Sequence, residues 1–260
     1  MNTHSNKIIL NISPNDTIIV KGNITPITLT QNDFHEEWEA LANFRIAEPE
    51  REYTTSTFQS FLTNKSISVG DVWQIDEEGV MELLRQIHPN PNLKMSINAG
   101  DSCGLWACLR AYNDKLVDIQ FRLHAEFKFD DGRFTPSQFT GKLIIDRIQQ
   151  KVDYFKMYVP EGTVNFDVAW KKYPDKPYSV IDSGFCSQLE LSTGIPNNLE
   201  DTEFTEFISQ EEAQKKLMRC FYKFEEINWV SFEEAIEMAK TQHKPIHVIS
   251  IDGPLKDESC

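Results

Sequence analysis

No stretch of this 260-residue chain approaches the ~20 consecutive apolar residues that a membrane-spanning helix needs. Basic residues are also scarce: 26 lysines and arginines stand against 40 aspartates and glutamates, a net charge of −14. That sign argues against nucleic acid and anionic lipid surfaces as partners, since both select for lysine and arginine. The start, "MNTHSNKIILNISPNDTIIVKG", has neither the basic n-region nor the continuous apolar h-region of a secretory signal. The expected compartment is therefore cytoplasmic, and the Asn-x-Ser/Thr matches at Asn11, Asn15, Asn23 and Asn64 read as chance. Paired cysteine motifs are missing as well. Cys103, Cys108, Cys186, Cys220 and Cys260 are scattered and odd in number. They make no disulfide framework, and no pair has the spacing of a zinc knuckle, so no metal site is expected. The first four read as small buried hydrophobes.

What is present is ordinary globular material, 40% hydrophobic and 25% charged, enough to bury a sizeable core. Residues 1–30 read as short strands broken at Pro14, Gly22 and Pro26. "TQNDFHEEWEALANF" predicts a helix capped by Thr30 with Phe34, Trp38 and Leu41 on one face, and residues 45–70 an extended surface connection. Val80, Leu83, Leu84 and Ile87 recur at the helical period after Asp76, and Pro89 stops that helix. The clearest strand is "KLVDIQFRLHAEFKF", 115–129. Its odd positions from Val117 to Phe129 are apolar and its even positions from Asp118 to Lys128 polar, the pattern of a half-buried antiparallel strand. "GKLIIDRIQQKVDYFKMYVP" predicts a hairpin and "GTVNFDVAW" another strand.

The last third changes character. Ser209 and Ser231 each open a capping box, and after the second Phe232, Ala235, Ile236 and Ala239 form the stripe of a helix packed on a sheet. Lys244 and Pro245 then lead into a hydrophobic strand at 245–251, a short loop and Cys260. Helix, Lys-Pro, strand, loop and cysteine are the opening half of a thioredoxin-like unit. There a reactive thiolate is stabilised by the free N–H groups and dipole of the following helix. The expected fold class is α+β: a mixed, largely antiparallel sheet domain followed by that half unit. The expected division is 1–65 for the N-terminal strands, helix and connection, 66–205 for the α+β domain, and 206–260 for the helical segment and partial redox unit.

A series of segments in order resembles the selenoprotein N family and its shorter prokaryotic relatives: "FQSFL" at 58–62, Gly70 with Trp73, "HP" at 88–89, "ACL" at 107–109, "FRLHAEF" at 121–127, "FTPSQFTG" at 134–141, "VNFDVAW" at 164–170, "FYKFEEI" at 221–227 and "GPLKDESC" at 253–260. The resemblance covers roughly 55–260. In that family the final segment continues Ser-Cys-Sec-Gly, so it implies that Ser259 and Cys260 match the first two positions and that selenocysteine follows Cys260. Because UGA encodes selenocysteine and also reads as stop, the expectation is a chain ending at that codon. A short relative that lost its redox segment is the alternative. The resemblance implies a thiol/selenol oxidoreductase acting on protein disulfides or peroxides, with Cys260 catalytic, Gly253 and Ser259 in its supporting motif, and protein thiols or a thiol reductant as partners. No cofactor beyond the selenocysteine is implied. Animal members carry a membrane anchor, an endoplasmic-reticulum address and a calcium loop. These 260 residues contain no D-x-[DN]-x-[DN]-G pattern, so only the redox chemistry is carried over.

Arg122, His124 and Glu126 share one strand face and offer acid, base or ligand groups for a redox cleft or partner surface. A neutralised polar ladder on an exposed or interface-facing strand is the plainer reading. "DSCG" at 101–104 mimics the terminal motif, but Cys103 falls in an unrelated block. A non-catalytic interaction protein with a vestigial redox segment is the second function class.

Overall fold

The structure, a computed structural model, describes residues 7–94, 104–162, 164–195, 202–221, 227 and 229–248. Its strands are β1 Thr17–Ile24, β2 Leu29–Thr30, β3 Glu50–Thr54, β4 Val72–Gln74, β5 Pro91–Asn92, β6 Leu105–Tyr112, β7 Leu116–Leu123, β8 Glu126–Phe129, β9 Gly132–Pro136, β10 Phe139–Asp146, β11 Lys151–Tyr158, β12 Phe166–Trp170, β13 Val180–Phe185, β14 Leu189–Thr193 and β15 Glu206–Phe207. All pair antiparallel in two sheets. One runs β15-β6-β7-β10-β11-β14-β1-β3 with β4 beside β6; the other runs β2-β13-β12-β9-β8-β5. The α+β expectation holds.

The long strand at 115–129 divides. Residues 116–123 belong to the first sheet and 126–129 to the second, with His124 and Ala125 carrying the chain across. The returning arm crosses likewise at Ser137 and Gln138, between β9 and β10. One hairpin therefore serves both sheets, and its apolar residues fill the core on both sides of the crossing. Phe121 stacks on Phe155 at 5.7 Å and 12°, while Phe61 lies 4.9 Å from Phe121. Beyond the crossing Phe134 lies 4.8 Å from both Phe44 and Phe166. Gly141 makes the first cluster possible, because a Cβ there would lie 2.2 Å from Phe121 Cζ and 2.3 Å from the Lys156 carbonyl.

Helices α1 Phe34–Glu37 and α2 Glu39–Ala42 replace the single expected helix. Trp38 between them is extended (φ −98°, ψ 103°); the residue before α1 is Asp33 in the left-handed region, with no side-chain capping bond, while the expected cap Thr30 accepts the first-turn His35 N–H at 3.1 Å through its hydroxyl. Trp38 breaks the helix because its indole is drawn into the core, where its N–H donates to Asp131 at 3.0 Å. Residues 45–70 are no surface connection either. They contain β3 and α3 Ser56–Gln59, and Phe58 and Phe61 are fully buried. Gly70 turns the chain at φ +87°, a conformation open to glycine. Helix α4, Glu77–Ile87, matches its expectation: Asp76 accepts from the Glu78 N–H at 2.9 Å, and Val80, Leu83, Leu84 and Ile87 are fully buried.

Helices α5 Gln210–Phe221 and α6 Phe232–Gln242 start at the expected caps, Ser209 and Ser231, which accept from Glu212 N at 3.0 Å and Glu234 N at 3.2 Å. Their surroundings differ. Helix α5 lies on β6 and β7. Helix α6 has no buried residue, and Phe232 at the head of its apolar stripe is exposed. The stripe therefore lies on no sheet among the described residues. Residues 244–248 are exposed and form no strand, a correction to the expected strand; 249–251 lie outside the described residues.

Candidate functional site

Cys260, Ser259 and Gly253 lie outside the described residues, as does Cys103. The remaining candidates, Arg122, His124 and Glu126, sit where the hairpin crosses between sheets, and all three are buried. The register puts Cys108, Gln120 and Lys142 in one cross-strand row, and Trp106, Arg122 and Thr140 in the next. This is the polar face of β7, and α5 covers it. Apolar contact under the helix is slight: Cys108, Ala213 and Leu217, joined by Trp106 and Ile208.

Hydrogen bonding does the remaining work. Gln214 Nε2 on α5 donates to Thr140 Oγ1 at 3.0 Å and Gln120 Oε1 at 3.4 Å. Gln120 Nε2 donates to Asp118 Oδ1 at 3.0 Å, and Arg110 Nε donates to Asp118 Oδ2 at 2.6 Å. Lys142 Nζ lies 3.6 Å from the same oxygen. Two cations thus hold one fully buried carboxylate, and a connected network ties the helix to the sheet. At its C-terminal end α5 places the Phe221 ring 5.4 Å from the Arg122 guanidinium carbon and 4.8 Å from the His124 ring. Burial, reinforced by the Arg122 charge, pulls His124 down to about 3, so the imidazole is neutral at pH 7.

Glu126 belongs to the second sheet, where it accepts from Asn92 Nδ2 at 2.5 Å with Arg133 Nε at 3.9 Å. The register pairs Asn92 with Glu126 at one end of that sheet and sets Thr135, Asp167 and Ser183 in one row further across it. Burial raises Asp167 to about 7, opposed by Arg133 and assisted by Asp182. Sequence reasoning missed Asp167, Arg110, Lys142 and Gln214. The mixed charge of β7's polar face was the available signal, but nothing in it announces a covering helix some ninety residues later.

The described cysteines are neutral thiols. Burial pushes Cys108 up to about 12 and also raises Cys186 and Cys220. None of these three is poised as a nucleophile at neutral pH. Among the described residues no group of three or more His, Cys, Asp or Glu could hold a metal ion, and no helix is long and apolar enough to cross a membrane.

Two antiparallel sheets sharing a hairpin, with a helix closing a polar seam over one of them, define an α+β protein whose described thiols burial keeps protonated. No protein-family model matches the chain, and no solved structure does. Selenoprotein N of Danio rerio is 30% identical over 213 residues, 70% of this chain and 38% of that protein. Selenoprotein N of Homo sapiens is 27% identical over 279 aligned positions, 86% of this chain and 46% of that protein. That of Mus musculus is 27% identical over 213 residues. The chain is related to selenoprotein N, and it spans less than half the length of these relatives.

Proposed function

We propose that this protein is a thiol/selenol oxidoreductase of the selenoprotein N type, in which Cys260 works with a selenocysteine that follows it and the two-sheet domain carries the redox unit. The observation that carries the reading is the relationship to selenoprotein N over 70–86% of the chain, and it is supported by the resemblance of residues 253–260 to that family's Ser-Cys-Sec-Gly segment. The neutral state of Cys108, Cys186 and Cys220 agrees with a nucleophile elsewhere.

In this mechanism the selenolate attacks a substrate disulfide. The S–S bond breaks, a mixed Se–S bond forms, and one substrate sulfur leaves as a thiolate that takes up a proton. The Cys260 thiolate then attacks selenium and releases the second substrate thiol, leaving a Cys260–Se bond. A thiol reductant restores thiol and selenol. Arg122 and His124 contribute by anchoring the end of α5, from which the chain runs on toward the redox unit; at its low pKa His124 is no proton donor to a thiolate at neutral pH.

The test is turnover of a protein disulfide by the protein with selenocysteine, or cysteine, after Cys260, against Cys260→Ser in the same background. Loss of turnover is expected. Equal turnover removes Cys260 from the mechanism, and loss on Cys103→Ser instead moves the chemistry to the 101–104 segment. In the gene, UGA and then a glycine codon are expected after the Cys260 codon; UAA or UAG there contradicts the selenocysteine.

A second reading, a non-catalytic interaction protein, is favoured by one observation: the described domain holds its thiols protonated and closes a polar seam under α5. Unchanged partner binding by Cys260→Ser, without disulfide turnover in either form, selects it.

A further inference from the structure

The tip of the second sheet borders a hollow of about 590 Å³, none of whose lining residues belongs to the seam under α5. Phe129 lines it, half-buried. Three rings stand nearly perpendicular to Phe129: His88 at 5.0 Å and 85°, Trp38 at 5.4 Å and 89°, and Phe44 at 5.6 Å and 81°. These contacts fix Phe129 as a rigid shelf. His88 Nδ1 accepts the Asn90 N–H at 3.3 Å, which leaves the ring hydrogen on Nε2. Both Asp131 oxygens are engaged by the indoles of Trp38 and Trp170, at 3.0 and 3.1 Å, which pins the hairpin tip.

The rim is acidic. Glu39, Asp130 and Asp131 border the hollow against a single ammonium, Lys128. Glu39 and Asp130 form no ion pair with a described residue and are exposed. An aromatic face is attractive to a cation, and carboxylates beside it favour the planar, two-toothed guanidinium over a compact ammonium. A chain of net charge −14 also draws basic partners toward it.

We propose that this hollow is a docking site for an arginine side chain of a basic protein partner, stacked on Phe129 and held by Glu39 and Asp130. The site is independent of the redox reading and stands whether or not Cys260 is catalytic.

The probe is Nα-acetyl-arginine amide, followed by aromatic NMR signals of Phe129 and His88, with the citrulline and lysine analogues as controls. Saturable shifts at both residues are expected for arginine, weaker shifts for lysine and none for the uncharged citrulline. Glu39→Gln combined with Asp130→Asn should weaken arginine binding about fivefold, the size set by two exposed charge pairs, with the unfolding midpoint unchanged. Both substituted residues are exposed, so the variant retains the fold. The proposal is overturned by non-saturating shifts, by an equal response to citrulline, or by equal binding in the double variant. Equal shifts around unrelated surface carboxylates such as Glu50 and Glu52 overturn it too, since they report only the net charge.

Discussion

His124 and Asp167 are ionisable side chains that burial moves in opposite directions, and their effects on stability have opposite signs. His124 falls from 6.5 to about 3. Between those values the unfolded chain binds the proton and the folded chain does not, so its contribution is complete above 6.5 and is lost as pH falls. Asp167 rises from 3.8 to about 7. There the folded chain binds the extra proton, so stability is complete below 3.8 and is lost as pH rises toward 7. Asp167→Asn removes that loss. Urea denaturation at pH 5 and pH 8 should show this variant gaining on the unchanged chain at the higher pH; a pH-independent difference contradicts the assignment. At Asp118 the outcome is simpler. Asp118→Ala leaves Arg110 and Lys142 without their shared carboxylate and should cost about 3 kcal/mol, the low end for a broken buried ion pair because both cations keep some water. A loss under about 1 kcal/mol, the range of an exposed pair, means that the seam is wet.

Helix α5 is the element on which the buried seam depends. Its apolar grip is small, so Phe221 over His124 and Gln214 over Gln120 carry much of its seating. Phe221→Ala should expose His124 and raise its pKa toward 6.5, read from the imidazole NMR titration; an unmoved titration means that the sheet alone buries the ring. Helices α4, α5 and α6 were legible in the sequence. Asp76, Ser209 and Ser231 are real caps, and the apolar period of α4 is the one the core uses. The crossing at His124 and Ala125 was not legible, because Leu123, Ala125 and Phe127 continue the two-residue alternation unbroken while the chain changes sheets. Burial of the polar face was hidden for a different reason, since its cover is distant in sequence and its contacts are polar. The helix expected at 30–44 failed because Trp38 gains more from the core and Asp131 than from a continuous helix. For Cys260 the sequence offered a helix, Lys-Pro, strand, loop and cysteine order and the family resemblance; residues 244–248 form no strand, and Cys260 lies outside the described residues.

At the scale of the whole molecule the chain divides in behaviour. Strand β7 is buried along its full length, whereas α6 and residues 244–248 bury nothing among the described residues. Hydrogen exchange should therefore be slow at 117–123, with protection approaching that of global unfolding, and fast at 232–248. Uniformly slow exchange in a monomer would mean that α6 is packed after all. The proposed function rests on a redox pair of Cys260 and a selenocysteine after it. It is tested by adding one equivalent of hydrogen peroxide to the reduced natural protein, digesting it, and mapping linkages by mass spectrometry. The reaction takes one thiol, one selenol and the peroxide to one sulfur–selenium bond and two waters. The expected bond joins Cys260 to the selenocysteine after it, with Cys108 and Cys186 recovered as free thiols. Cys260 recovered free while a disulfide forms among Cys103, Cys108 and Cys220 would contradict it.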